Sequence, residues 1–290
     1  MKRGLRGVFR ALLRDRAARV GLVLVALVLL MAAVADLSPY GPKERDARLG
    51  AELRRPPSAE HWLGTDTSGC DVLTRVLHGA RLSLLTGLLA VALSLLVGVP
   101  AGLLSGWHGG RVDGVLMRIT DVLLAFPSVV LAIAIATLFD KESARSTFER
   151  LAPVITAVSV VSIPTVARQV RASVLQVRPL DYVTAARALG LPTWRILLRH
   201  VLPNCLAPIL VLATLGVGNA ILSAAGLNFL GLGPEARVPE WGVMLSAARE
   251  QITTDQQWVV IPPGVAIAIT VLGFNLLGDG LRRALDPRSR

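Results

Sequence analysis

Cysteine is nearly absent from this chain, which holds only Cys70 and Cys205. Two thiols so far apart exclude a disulfide framework and a structural zinc site. Lysine occurs only as Lys2, Lys43 and Lys141, and none of them closes a glycine-rich turn, so there is no P-loop to hold ATP phosphates. The histidines His61, His78, His108 and His200 make no HExxH pair, and no serine stands in a GxSxG turn. A catalytic metal and a hydrolytic nucleophile both lack their usual setting. The chain is therefore expected to be non-catalytic, with no metal and no cofactor of its own.

Charge is also sparse, at 18% of residues against about 25% in soluble domains. Aliphatic residues take its place: 53% of the 290 residues are apolar and the mean hydropathy is +0.58. Six uncharged runs approach or exceed the length needed to cross about 30 Å of hydrocarbon at about 1.5 Å per residue. They cover residues 20–35, 82–107, 122–139, 151–167, 201–234 and 256–278. The runs show no period-2 alternation, which selects helices over a barrel and gives an all-α polytopic membrane protein with six transmembrane helices. The run 201–234 is longer than one crossing needs. Pro203 and Pro208 near its start and Gly226, Gly231, Gly233 and Pro234 near its end predict a crossing over 207–225 with irregular flanks.

Basic residues exceed acidic ones by 11, which in a soluble protein would suggest nucleic acid. With six crossings the termini share a side. The segments on that side hold 19 basic and 6 acidic residues, while the opposite segments hold 12 and 14. Such asymmetry follows the positive-inside rule, so both termini are expected in the cytoplasm and no nucleic-acid partner is needed. Cys70 and Cys205 then lie on opposite sides and cannot pair. The basic start, the apolar run and Ala33-Val34-Ala35 also fit a cleaved signal peptide. Retention is the expectation, and the intact mass of the purified chain decides it.

In the second run Thr86, Ala90, Ser94, Gly98, Gly102 and Gly106 recur every four residues, and Gly216, Ala220 and Ala224 repeat the device in the fifth. Rows of small side chains let helices approach closely, so both are read as packing ridges. Polar groups within the runs are few: Asp121, Ser128, Asn219, Ser223 and Asn275. Ser128, Asn219 and Ser223 are the candidates for lining a translocation path, with bonding to a neighbouring helix as the alternative.

The connection 168–203 mixes helix formers with a Gly-Leu-Pro break and reads as helix, turn, helix. Tyr182, Ala185, Ala186 and Leu189 fall on one side of the first helix, while Trp194, Leu197 and Leu198 carry the second. An amphipathic element outside the bilayer needs a cover, which is either this protein, the lipid surface or a docked protein.

At this loop the chain resembles the inner-membrane permease subunits of ABC importers. Their EAA loop is matched by Thr184-Ala185-Ala186, Gly190 and Leu202-Pro203. Three further stretches narrow the resemblance to the C-type subunit of the dipeptide/oligopeptide/nickel permease family. These are HWLGTDTSGCDVLTRVLHGARLSL from His61, LNFLGLG with WGVML between Leu227 and Leu245, and FNLLGDGLRRALDPR from Phe274. The chain departs from that pattern at Cys70, where Arg is common, and at Thr184, where Glu is frequent.

The resemblance implies the ABC type I importer permease fold. It also implies a tail, first helix and start of the outer segment over 1–60, an outer signature segment over 61–81, a five-helix core over 82–280 with its coupling loop 168–203, and a cytoplasmic tail over 281–290. It implies ATPase coupling through Asp181, Tyr182, Thr184, Ala185, Ala186, Arg187, Gly190, Leu202 and Pro203, with Asp181 and Arg187 making polar contacts in place of the missing Glu. The implied partners are a second homologous permease subunit, two cytoplasmic ABC ATPases that bind ATP and magnesium, an extracytoplasmic solute-binding protein and the lipid bilayer. The place is a bacterial inner membrane, and the cargo a di- or oligopeptide or a related small solute. The binding protein is expected to dock on 37–81 and 226–255, with Trp62 and Trp241 as contact probes. The rival readings are an ATP-independent secondary transporter or channel, against which the sparse intramembrane charge argues, and a membrane scaffold.

Overall fold

The structure, a computed structural model, describes residue 7 and residues 12–42, 53–139, 146–253 and 255–285. Lys2, Lys43, Lys141, much of the basic N-terminal stretch and the tail 286–290 lie outside the described residues. Ten helices position the functional surfaces: α1 (Arg16–Val34), α2 (Val72–His108), α3 (Gly110–Ala125), α4 (Ser128–Thr137), α5 (Thr147–Val177), α6 (Asp181–Ala188), α7 (Thr193–Ile196), α8 (Leu202–Leu227), α9 (Trp241–Ala247) and α10 (Ile261–Leu285).

Among the described residues, five stretches are long and apolar enough to cross a membrane: Arg16–Leu37, Val72–His108, Thr147–Val177, Thr193–Leu232 and Gln257–Leu285. The sixth crossing expected from sequence, 122–139, is not one straight helix. It divides into α3 and α4, bent by 94°. Pro127 is the cause: it has no N–H to continue the ladder, and it pushes Phe126 into extended backbone at φ −81°, ψ 139°. Upstream of the break α3 reaches back to Gly110. Asp113 accepts two hydrogen bonds of 2.6 Å from Arg171 of α5, and Asp121 pairs with Arg168 of α5.

The second crossing also starts earlier than expected, at Val72 rather than 82. At about 1.5 Å per residue the 37 residues of α2 span about 55 Å, so the helix protrudes beyond the hydrocarbon. Its ridge is buried throughout. A Cβ on Gly98 would lie 2.6 Å from Val166 Cγ1, and one on Gly102 would lie 2.5 Å from the Ala167 carbonyl oxygen. The small residues therefore set how closely α2 and α5 approach. Ala220 and Ala224 of the second row are buried in the core that α8 shares with α2. The irregular flank expected after the fifth crossing is the π-helical turn Asn228–Leu232; the one expected before it is regular helix, since Pro203 and Pro208 both lie within α8, and the distortion falls earlier, in the π-helical turn Leu197–Val201.

At one end of the bundle the segment from residue 53 to α2 folds against the segment from Gly233 to α9, making a cap. Asp71 caps α2 by accepting from the Thr74 N–H at 2.7 Å, and its other oxygen lies 2.9 Å from His61 Nδ1. Arg75 donates to Asp66 and to the Ala236 carbonyl. Glu240 caps α9 through the Val243 N–H at 2.9 Å and accepts from Ser83 at 2.9 Å and Asn228 at 2.7 Å. Trp241 donates to the Val76 carbonyl at 3.0 Å and lies against Gly79, where a Cβ would sit 2.6 Å from its ring. The signature stretches around His61 and Trp241 thus form one structure. Trp241 is 0% exposed, so it cannot report docking of a binding protein as expected from sequence; Trp62, at 72% exposed, can.

Candidate coupling surface and translocation pocket

The opposite end of the bundle carries the 168–203 connection. Residues up to Val177 belong to α5, so the separate element is only α6. Asp181 in its first turn and Arg187 in its last complement the helix dipole. The helix ends in a Schellman motif. The Leu191 N–H reaches the Ala186 carbonyl at 3.2 Å, the Gly190 N–H reaches the Arg187 carbonyl at 2.9 Å, and Gly190 takes φ +71°. The spacing from Ala186 to Gly190 is therefore the geometry of a helix stop, in which only glycine adopts the left-handed turn without strain.

Val183 and Ala186 are buried and join Trp107, Val174, Val177, Ile196, Leu197 and Val201 in one apolar cluster. The face expected from sequence is therefore only partly the inner one: Ala186 is buried, but Tyr182, Ala185 and Leu189 are exposed. Asp181, Thr184, Arg187 and Gly190 are exposed as well, while Leu202 and Pro203 are half-buried at the start of α8. The Arg187 guanidinium stacks 4.1 Å from the centroid of Trp107 at the end of α2. It is thus committed to its own chain, and it ties α6 to α2. Partial desolvation where its ring meets the bundle raises the Tyr182 phenol above its ordinary range.

The expected second helix is not separate, because α7 runs through the π-helical turn directly into α8. Pro203 cannot donate to the carbonyl four residues back, and the wider turn precedes it. Trp194, Arg195, Leu198, Arg199 and Pro203 line an open depression of about 610 Å³ here. Leu189 is 81% and Trp194 60% exposed, which leaves an apolar surface rimmed by arginines.

Within the bundle a pocket of about 480 Å³ lies between α4, α5 and α8. Ser128 and Ser223, both expected from sequence, line it together. Ser162 joins them, although sequence reasoning passed over it because it sits in an apolar run just before Ile163-Pro164; a serine at that break was the available signal. The remaining lining is apolar, including Val129, Val158 and Phe229, and no charged side chain takes part. Asn219 is not among the lining residues. It is exposed on α8 one turn from Ser223, on the same face.

Residues 98–290 match the family described as the binding-protein-dependent transport system inner membrane component, and residues 5–57 match the N-terminal transmembrane domain of oligopeptide transport permease C. The chain is 44% identical to the dipeptide transport system permease protein DppC of Alkalihalophilus pseudofirmus, over 98% of this chain and 90% of that one. It is 42% identical to the di/tripeptide transport system permease protein DppC of Pseudomonas aeruginosa, over 98% and 92%. With the glutathione transport system permease protein GsiD of Pectobacterium atrosepticum it shares 44% identity over 81% and 75%. Its fold is similar to that of a chain of the MetNI methionine ABC transporter solved in inward-facing conformations, with a TM-score of 0.59 at 18% identity, covering 73% of this chain and 96% of that one. With its apolar helices and these relatives, the chain belongs to the binding-protein-dependent transport family as a multi-pass inner-membrane permease subunit of an ABC importer.

Proposed function

We propose that this chain forms half of the path by which an ABC importer takes up di- or oligopeptides, coupling that path to ATP hydrolysed on other subunits. The observation that carries the coupling is α6. Its inner face is bound to the bundle through Val183, Ala186 and the Arg187–Trp107 stack, and its outer face is left open. A short helix so mounted transmits a push. The basic end is the cytoplasmic one, where two ATPases holding ATP and magnesium dock around Asp181, Tyr182, Thr184, Ala185 and Gly190. Thr184 makes no ion pair, so the fit there rests on shape around the alanines. The capped end faces outward and receives the solute-binding protein beside Trp62.

In mechanism, ATP favours the closed ATPase pair over the open one, and a ligand shifts an equilibrium only by that difference in affinity. The permease supplies the two-state element: α6 is tied to α2, and α2 runs from the basic end to the cap. The pocket lined by Ser128, Ser162 and Ser223 offers hydroxyls and aliphatic walls, which suits side chains of varied character passing without tight binding.

The test is to tag the chain, extract it gently from its native membrane and identify what accompanies it by mass spectrometry. Two Walker-motif ATPases and one homologous permease are expected, and the reconstituted complex should take up peptide only with ATP and the binding protein. Purification alone, with solute flux in ATP-free liposomes, would overturn the reading.

A further inference from the structure

We propose that a second pocket, at the capped end, is a receiving site for short peptides with free termini, in which Arg54 and Arg249 take the carboxylate and Glu250 the amino group; this rests on the importer reading above. The pocket holds about 470 Å³ and is lined by Arg54, Thr67, Leu230, Arg249 and Glu250 among others. That volume falls in the range of about 300–1,000 Å³ typical of small-molecule sites. The lining comes from the segment before α2, the turn after α8 and the stretch after α9, so only the folded cap assembles it. Leu230 lines the serine-lined pocket as well, and so stands between the two. The charged pocket is therefore the immediate neighbour of the path.

The three charges are not spent on one another. Arg54 donates to Gln256 Oε1 at 3.3 Å and Arg249 to the Phe229 carbonyl at 3.4 Å. Among the described residues no acidic side chain pairs with either arginine, and no basic one with Glu250. A guanidinium carries five N–H donors, so one contact apiece leaves most of them for a carboxylate. Arg249 is also held in place, with its guanidinium 5.3 Å from the centroid of the Phe229 ring and Ser246 donating to the same carbonyl at 3.1 Å. Phe229 lines the serine-lined pocket, so this cation is anchored to the wall of the path. Cations and an anion side by side complement a molecule bearing both signs, whereas a purely anionic or purely cationic ligand would meet a like charge. All three groups are exposed, so each contact is weak and the hold is loose enough for cargo to move on.

The experiment uses the full complex in lipid nanodiscs, without the binding protein, and carries an environment-sensitive fluorophore on Thr67→Cys. Cys70 and Cys205 are buried, and the labelled complex lacking Thr67→Cys sets the background. The probes are dialanine, its C-terminal amide and its N-acetyl form. Dialanine should give a saturable response, and each blocked form should bind about fivefold more weakly. Arg249→Gln is expected to weaken dialanine by about the same factor while leaving the amide unchanged, and Arg249→Lys to recover most of the loss. Glu250→Gln should weaken dialanine and leave the N-acetyl form unchanged. A general loosening of the cap would weaken all three probes together. That result, no saturable response to dialanine, or a response to the binding protein but not to peptide would overturn the site. ATP-dependent uptake by the unlabelled complex is measured alongside. Uptake without peptide binding at the cap removes the site and leaves the importer reading standing, whereas ATP-independent uptake with the expected binding pattern does the reverse.

Discussion

At the cap, Arg75, Asp66, Asp71, His61 and Glu240 are all buried, and each meets a donor or acceptor from its own chain. At the basic end, Arg168 and Asp121 pair while half-exposed, and Leu189 and Trp194 are largely exposed, with the Arg195 guanidinium over the Trp194 ring. The same helices run through both ends, so the contrast does not come from the spans. It comes from what each end must do: the cap completes itself and holds a geometry, whereas the basic end leaves an apolar, arginine-rimmed surface for something else to complete. Buried polar groups bonded within their own chain favour one arrangement, and exposed apolar patches mark interfaces.

The largest expected break is at the cap. Arg75→Leu leaves Asp66 buried without its cation and should cost about 3–5 kcal/mol, whereas Arg168→Leu removes a half-exposed pair worth about 0–1 kcal/mol. Melting of both variants in detergent, side by side, measures the contrast, and equal losses would erase it. Next is the ridge that joins the ends. Gly102→Val meets the Ala167 carbonyl and should cost about 1–3 kcal/mol through overpacking. Smaller on stability is α6, the helix proposed to couple. Ala185→Trp, on the exposed face, should leave the melting temperature nearly unchanged, within about 0.5 kcal/mol, yet abolish recovery of the ATPases. Ala186→Trp strikes the buried face and should lower stability as well.

The faintest effect concerns Asp15, whose carboxyl is held below the ordinary carboxylate range by its hydrogen bond from Arg283, helped by the Ala18 N–H. A depressed folded value stabilises above the unfolded value and is lost as pH falls through the depressed one. Asp15→Asn should therefore lower the melting temperature slightly at neutral pH, where the contribution is present, and flatten the acid side, where it is already lost. Cys70 sharpens the same contrast in another way. Burial, with Asp66 beside it, raises its thiol above the ordinary range, so maleimide at neutral pH should modify it only after unfolding.

Much of the architecture was legible because apolar runs, proline breaks and small-residue spacing are local signals. The break at Pro127 was visible as an X-Pro step, but a count of uncharged residues ran across it. The early start of α2 was hidden because Arg75, His78 and Arg81 resemble a polar loop. Their partners, Asp66, the Thr74 carbonyl and Asp36, turn them into helix. In α6 a helix of two turns gives too little periodicity to tell a face packed inward from one offered outward, so Tyr182 and Leu189 were assigned with Ala186.

By itself the sequence determined that this is a helical membrane protein whose loop 168–203 resembles that of importer permeases, since hydrophobicity and motif spacing need no neighbours. Only the tertiary structure decided that Ser128, Ser162 and Ser223 share a pocket, that Trp241 is buried, that Arg187 stacks on Trp107 and that Leu230 stands between two pockets. Each of these depends on which helix lies against which, and residues far apart in the chain carry no local mark of the neighbour that packing will bring.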